Sequence, residues 1–135
     1  MNLRHIYRRS PAFVRFLLVG AVGFIVDAMA LLLLVHLAQM SAIWARIPSF
    51  LIAVTVTWWL HRNFTFEAVR HSAPSVREWL FFILANSLGN GLNLGLYWLL
   101  IVQFAWVPLA ALAFASVVAA AINFHVSAKW VFRGE

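Results

Sequence analysis

The sequence predicts an all-α membrane protein: four transmembrane helices in two helical hairpins, related as a parallel repeat, with both termini cytoplasmic. Three observations carry this reading. Apolar residues make up 64% of the 135 positions and charged residues 10%, against about 45–50% and ~25% in an ordinary soluble domain. Four stretches approach the ~20 apolar residues that cross a hydrocarbon layer about 30 Å thick. Nine of the ten basic residues (Arg4, Arg8, Arg9, Arg15, Arg62, Arg70, Arg77, Lys129 and Arg133) fall in segments that alternate spanning places on one side, with Arg46 alone on the other. Cytoplasmic loops carry that excess, so the net charge of +6 is explained without nucleic acid. The chain is read as one transmembrane domain, 1–135.

The elements follow in order. Segment 1–15 is basic; Leu3, Ile6 and Tyr7 among its charges suit either a short interfacial helix ending near Pro11 or an unstructured topogenic tail. The first span, 16–38, is too long for a signal-peptide apolar region and holds Asp27 at mid-length, so it is expected to be retained. The second, 42–61, contains Arg46 and Pro48, the proline early enough for a helix start to tolerate it. A basic loop, 62–77, turns at His71–Ser75, and Ser75-Val-Arg-Glu78 reads as a capping box. The third span, 78–102, and the fourth, 104–128, close the chain. Trp58, Trp59, Trp79 and Trp130 lie near the inner interface and Trp44 and Trp106 near the outer one, as an aromatic belt requires.

The halves are similar. Arg15–Asp27 lies over Glu78–Asn90, and Thr57–Phe66 lies over Asn123–Phe132. Two spans per half give both halves one orientation, and sites in such proteins tend to lie between repeats.

A polar group in hydrocarbon must find a partner or line a cavity. Asp27, the one acid within a span, is a functional candidate by default. Gly20, Gly23 and Asp27 share a helix face that should point inward, and Arg46 enters from the outer side at a depth within roughly one turn of Asp27. The alternative is a purely structural ion pair. Asn86, Asn90, Asn93 and Tyr97 form a polar stripe on the third span. They serve either as interhelical hydrogen-bond glue or as partners for hydroxyls of a moving head-group. Ser87, Gly91 and Gly95 form a small-residue stripe suited to close helix contact; Ser116, Ala120, Asn123 and Ser127 repeat the spacing on the fourth. His61, Arg62 and Asn63 end the second span, where Arg62 is either a topology anchor or a bidentate phosphate ligand. His36 and His125 are read as packing or interface residues. The absence of cysteine removes disulfides and thiolate chemistry, and the four acids leave no paired carboxylates in a span. No enzyme activity, metal or cofactor is expected.

Three elements resemble the GtrA-like family of four-span membrane proteins linked to O-antigen glucosylation and teichoic-acid glycosylation. They are Arg15-Phe-Leu-Leu-Val-Gly20 with Asp27, His61-Arg-Asn-Phe-Thr-Phe66, and Asn123-Phe-x3-Ala-Lys-Trp-Val-Phe132, over about residues 12 to 133. The family's Asn-Arg pair before each aromatic tail is His61-Arg62 and Ser127-Ala128 here. The resemblance implies a flippase that carries a polyprenyl-phosphate-linked sugar from the cytoplasmic to the outer leaflet of a bacterial inner membrane. Membrane-bound glycosyltransferases would be its partners; separately, a four-helix monomer is a thin wrapper for a sugar path, which points to a homo-oligomer. Arg62, Arg15, Lys129 and Arg46 would take the phosphate; Asp27, Asn86, Asn90, Asn93, Asn123, His61 and Tyr97 would line the sugar path. Two alternatives remain: a non-transporting anchor for a glycosyltransferase, and a small multidrug-type proton-coupled exporter.

Overall fold

The computed structural model describes residues 11–133, so the interfacial segment expected around Leu3, Ile6 and Tyr7, with Arg4, Arg8 and Arg9, lies outside the described residues. Every regular element among those described is helical. The chain divides after Pro74 into two compact units. The first holds α1 (Ala12–His36), α2 (Ala42–Leu60), a π-helical turn (His61–Thr65) and a 3-10 turn (Glu67–Val69); the second holds α3 (Val76–Phe104), α4 (Pro108–Val126) and a second π-helical turn (Ser127–Val131).

Local chemistry sets the ends. Pro11 precedes α1, where its missing N–H is no loss. At the far end Gln39 adopts φ 55° and its side-chain amide donates to the His36 carbonyl at 2.7 Å, which lets the chain reverse within a few residues. Ser75 caps α3 as its motif predicts, its Oγ accepting from the Glu78 N–H at 3.1 Å. α3 stops where Ala105 enters the left-handed region, φ 50°, and the Trp106 N–H folds back to the Leu100 carbonyl at 3.1 Å. Pro108 then opens α4 from its first position. The fourth helix thus begins four residues later than expected, because the turn 105–107 occupies what reads as unbroken apolar sequence. Pro48 is the seventh residue of α2, past the first turn, and the helix continues through it; nearby, Ser49 Oγ donates to the Arg46 carbonyl at 3.1 Å.

Among the described residues, three helical segments are long and apolar enough to cross a membrane: Ala12–His36, Ala42–Thr65 and Pro108–Val131. α3 is longer than any of them at 29 residues, but its asparagines dilute its apolar character. Polarity is distributed as lipid demands rather than as water does. Phe24, Leu37, Ile43, Leu94 and Leu109 are exposed, whereas Arg15, Ser49, Thr57, His61, Arg62, Thr65 and Ser127 are buried.

Each hairpin closes on small residues. In the first unit Ala45, Ser49 and Ala53 are buried on α2, and a Cβ added to Gly23 of α1 would collide with the Thr57 methyl. In the second unit, 66 residues on, Ala111, Ala115 and Ala119 are buried on α4, and a Cβ on Gly89 would collide with the Asn123 amide. Small residues let backbones approach where lipid supplies no hydrophobic drive between helices. The tails repeat too. Phe16 meets Phe66 at 6.3 Å and Phe82 meets Phe132 at 5.6 Å between ring centroids. Each π-helical turn is closed by an N–H five residues on, Phe66 to His61 at 2.9 Å and Phe132 to Ser127 at 2.8 Å.

These contacts correct three expectations. The tails recur in the expected register, but Arg15–Asp27 does not match Glu78–Asn90: Phe16 corresponds to Phe82 and Gly23 to Gly89, a shift of three residues that sets Asp27 against Asn93. Matching Asp27 to Asn90 follows polarity, whereas the contacts follow packing. The small-residue seam of the second hairpin is Gly89 with Ala111, Ala115 and Ala119, not Ser87, Gly91 and Gly95; Gly91 and Gly95 have open space where a Cβ would stand. Gly20 is open in the same way, so of the face shared with Gly23 and Asp27 it stays outside the helix contact.

Candidate functional site

Three polar clusters hold the residues singled out in the sequence. The first gathers where the start of α1 meets the end of α2. Arg15, the fourth residue of α1, is buried, and its Nη1 donates both to the Phe64 carbonyl and to Glu67 Oε1, each at 3.3 Å. Its Nε is buried and has no hydrogen-bond partner among the described residues. The Glu67 side chain is 61% exposed, and the same Oε1 that meets Arg15 lies 4.0 Å from Arg70 Nη2. Arg70 Nε in turn donates to the Asn63 carbonyl at 2.9 Å. Arg62 is 2% exposed. Its Nη2 donates to Ser72 Oγ at 2.8 Å, and that hydroxyl donates to the Val69 carbonyl at 2.9 Å. His61 is equally buried, stacked on Phe16 with centroids 4.4 Å apart and with Nδ1 3.0 Å from Thr65 Oγ1. Two guanidinium groups, of Arg15 and Arg70, therefore meet one carboxylate, while that of Arg62 is tied to Ser72. A π-helical turn widens the helix there, so its carbonyls reach side chains instead of only the next turn.

The second cluster is the ion pair expected from helical rise. Arg46 Nη1 donates to Asp27 Oδ2 at 2.8 Å, with side chains 53% and 19% exposed. Asp27 Oδ1 is buried and accepts no hydrogen bond among the described residues. Twelve residues of α1 separate Asp27 from Arg15, roughly 18 Å along the helix.

The third cluster belongs to the second unit. Asn86 Nδ2 donates to the Phe82 carbonyl at 3.2 Å, Asn90 is exposed, and Asn93 and Tyr97 are half-buried. On α4 and the turn after it, Asn123 Oδ1 and Ser127 Oγ are buried without hydrogen-bond partners among the described residues. At the matching positions of the first unit, Thr57 Oγ1 donates to the Ala53 carbonyl at 3.0 Å and His61 is bonded to Thr65. Ser127 has no such partner because Val131 stands where Thr65 does. Lys129 is exposed, and its carbonyl accepts from Arg133 Nε. Beside the Gly91–Gly95 face runs an apolar groove of about 680 Å³, lined by Leu84, Leu88, Leu92, Val118 and Ile122.

The structure thus joins Arg15 to the turn carrying Arg62, and Asp27 to Arg46. It adds Glu67, Arg70 and Ser72, which the sequence reading passed over. The signal was there for two of them: Glu67 and Arg70 are three residues apart, the spacing of an intrahelical ion pair.

Residues 15–132 match the family model described as GtrA/DPMS, transmembrane domain. Neither a curated protein nor a solved structure matches the chain.

Proposed function

The chain belongs to the GtrA/DPMS transmembrane-domain family, and on that premise we propose that it moves a polyprenyl-phosphate-linked monosaccharide from the cytoplasmic to the outer leaflet of a bacterial inner membrane. The observation that carries this is the pair of cationic stations on one hairpin. Arg15 with Arg62 stands at one end, and Arg46 lies beyond Asp27, which is roughly 18 Å from Arg15. A lipid of this kind carries one phosphodiester and one polar sugar on a tail that stays in hydrocarbon, so the head-group alone must cross. An ionised phosphate in hydrocarbon is costly unless paired, and a guanidinium pairs with two of its oxygens at once. The amides of Asn86, Asn90 and Asn93 exchange hydrogen bonds with sugar hydroxyls in place of water. Lys129 is a further phosphate ligand, and Asp27, Asn123, His61 and Tyr97 complete the sugar path. All four helices span the membrane, the termini are cytoplasmic, and a glycosyltransferase supplies or consumes the lipid.

The test is leaflet-resolved appearance of a labelled polyprenyl-phosphate hexose in vesicles containing the purified protein. Flipping by the wild-type chain that collapses in Arg62→Ala supports the assignment. Wild-type flipping that Arg62→Ala leaves unchanged sinks the role of Arg62. A wild-type chain that flips nothing yet retains a glycosyltransferase on purification replaces transport with anchoring.

A further inference from the structure

Glu67 is absent from any role assigned so far, and its position is unusual. Its carboxylate lies 3.3 Å from Arg15 Nη1 and 4.0 Å from Arg70 Nη2, where an incoming phosphate oxygen would have to stand. Unlike Arg15, whose side chain is 9% exposed, Glu67 is 61% exposed, so it holds the site from the open side. It rides on the 3-10 turn Glu67–Val69, three residues long and next to the loop whose Ser72 ties down Arg62. Arg15 also keeps Nε buried and without a hydrogen-bond partner among the described residues, so a single contact to Glu67 leaves its guanidinium only partly satisfied.

We propose that Glu67 is a resident counter-ion at this mouth: it occupies the anion position between Arg15 and Arg70 when the site is empty, and a phosphate group displaces it on binding. The proposal rests on reading this end of the hairpin as the phosphate site and adds how that site is gated. An internal anion keeps the buried Arg15 charge paired between turnovers. It also weakens net phosphate affinity, because each binding event must break the Glu67 contacts, and it speeds release by competing for the vacated cation. Weak solvated anions are thereby rejected, and a phosphate concentrated by its own membrane tail is favoured.

The experiment uses the full chain in detergent and two probes, farnesyl phosphate and inorganic phosphate, titrated calorimetrically against wild type, Glu67→Gln, Glu67→Asp and Arg15→Ala, with thermal unfolding recorded for each. Glu67→Gln is expected to bind farnesyl phosphate about two- to fivefold more tightly, the range for freeing a solvent-exposed ion pair. Glu67→Asp should stay near wild type and Arg15→Ala should bind more weakly, with inorganic phosphate following the same order at lower affinity. If Arg15→Ala weakens binding but Glu67→Gln leaves it unchanged, the gate is overturned and the phosphate site stands. If Glu67→Gln binds more weakly and also melts earlier, Glu67 is a structural clamp and the gate is again overturned. Binding of neither probe by wild type or Glu67→Gln overturns both readings. Inorganic phosphate binding as tightly as farnesyl phosphate, with the same gain in Glu67→Gln, upholds the gate and moves its ligand from lipid to solution.

Discussion

Arg62 presents the sharpest choice at the scale of single residues, because its guanidinium is bonded to Ser72 and almost wholly covered. A clamp that only holds the loop and a ligand that takes phosphate make different demands. Arg62→Ala loses a hydrogen bond to a charged group, worth about 1.5–3 kcal/mol, or an order of magnitude or two in apparent affinity for the lipid. Arg62→Lys keeps the charge without the planar fork and should recover part of the flipping rate. Ser72→Ala removes the loop contact alone and should leave most of the rate intact. A Ser72→Ala chain as inactive as Arg62→Ala would reassign Arg62 to holding the loop. The ion pair of Asp27 with Arg46 was legible in the sequence because two charges alone in apolar helices have few partners to choose from. Glu67 offered only its three-residue spacing to Arg70, and an acid in a basic loop otherwise reads as ordinary surface.

At the scale of elements, the hairpins are held by seams that composition conceals. Alanine is apolar on every face of an apolar helix, so Ala111, Ala115 and Ala119 look no different from their neighbours until a partner helix selects them. Ser75 could be read directly, since a capping box is a local bargain between four consecutive residues. The register of the repeat could not, because two lipid-facing helices match in composition at almost any offset. Glycine substitutions test the seam. Gly89→Ala places a methyl against the Asn123 amide, and overpacking of this kind costs about 1–3 kcal/mol. Gly91→Ala meets open space and should gain slightly from lower unfolded-state entropy. Thermal unfolding in one detergent compares the two; equal melting temperatures would refute the placement of the seam.

For the molecule as a whole, the charge asymmetry predicts which loops meet which compartment. The turn after α1 and the loop after α2 both contain exposed positions, Ala38 and His71, and the chain has no cysteine of its own. Ala38→Cys should react with an impermeant maleimide on intact cells, and His71→Cys only after the membrane is breached. The reverse pattern would overturn the orientation, since Arg62, Arg70, Arg77, Lys129 and Arg133 would then face outward against the usual bias. Fold class was open to sequence at this scale because the apolar fraction leaves lipid as the only adequate solvent. Site chemistry was less so, because lipid-facing and path-lining helices are built from the same few residue types.

The contact between Gly23 and Thr57 has a mechanical corollary. A Cβ at position 23 would stand 3.7 Å from the Cβ of Thr57, inside the ~3.5–4.5 Å span of a disulfide. Gly23→Cys with Thr57→Cys can therefore be welded by oxidation, locking α1 to α2 near the middle of the hairpin. Helices pressed this close should move as one stiff rod, so that in the proposed transport cycle this hairpin does not part along its length. The welded chain should keep flipping at the rate of its reduced form. Arrest on oxidation, restored by a reductant, would mean that the rod has a hinge at its centre and that the two helices must separate to let the head-group pass.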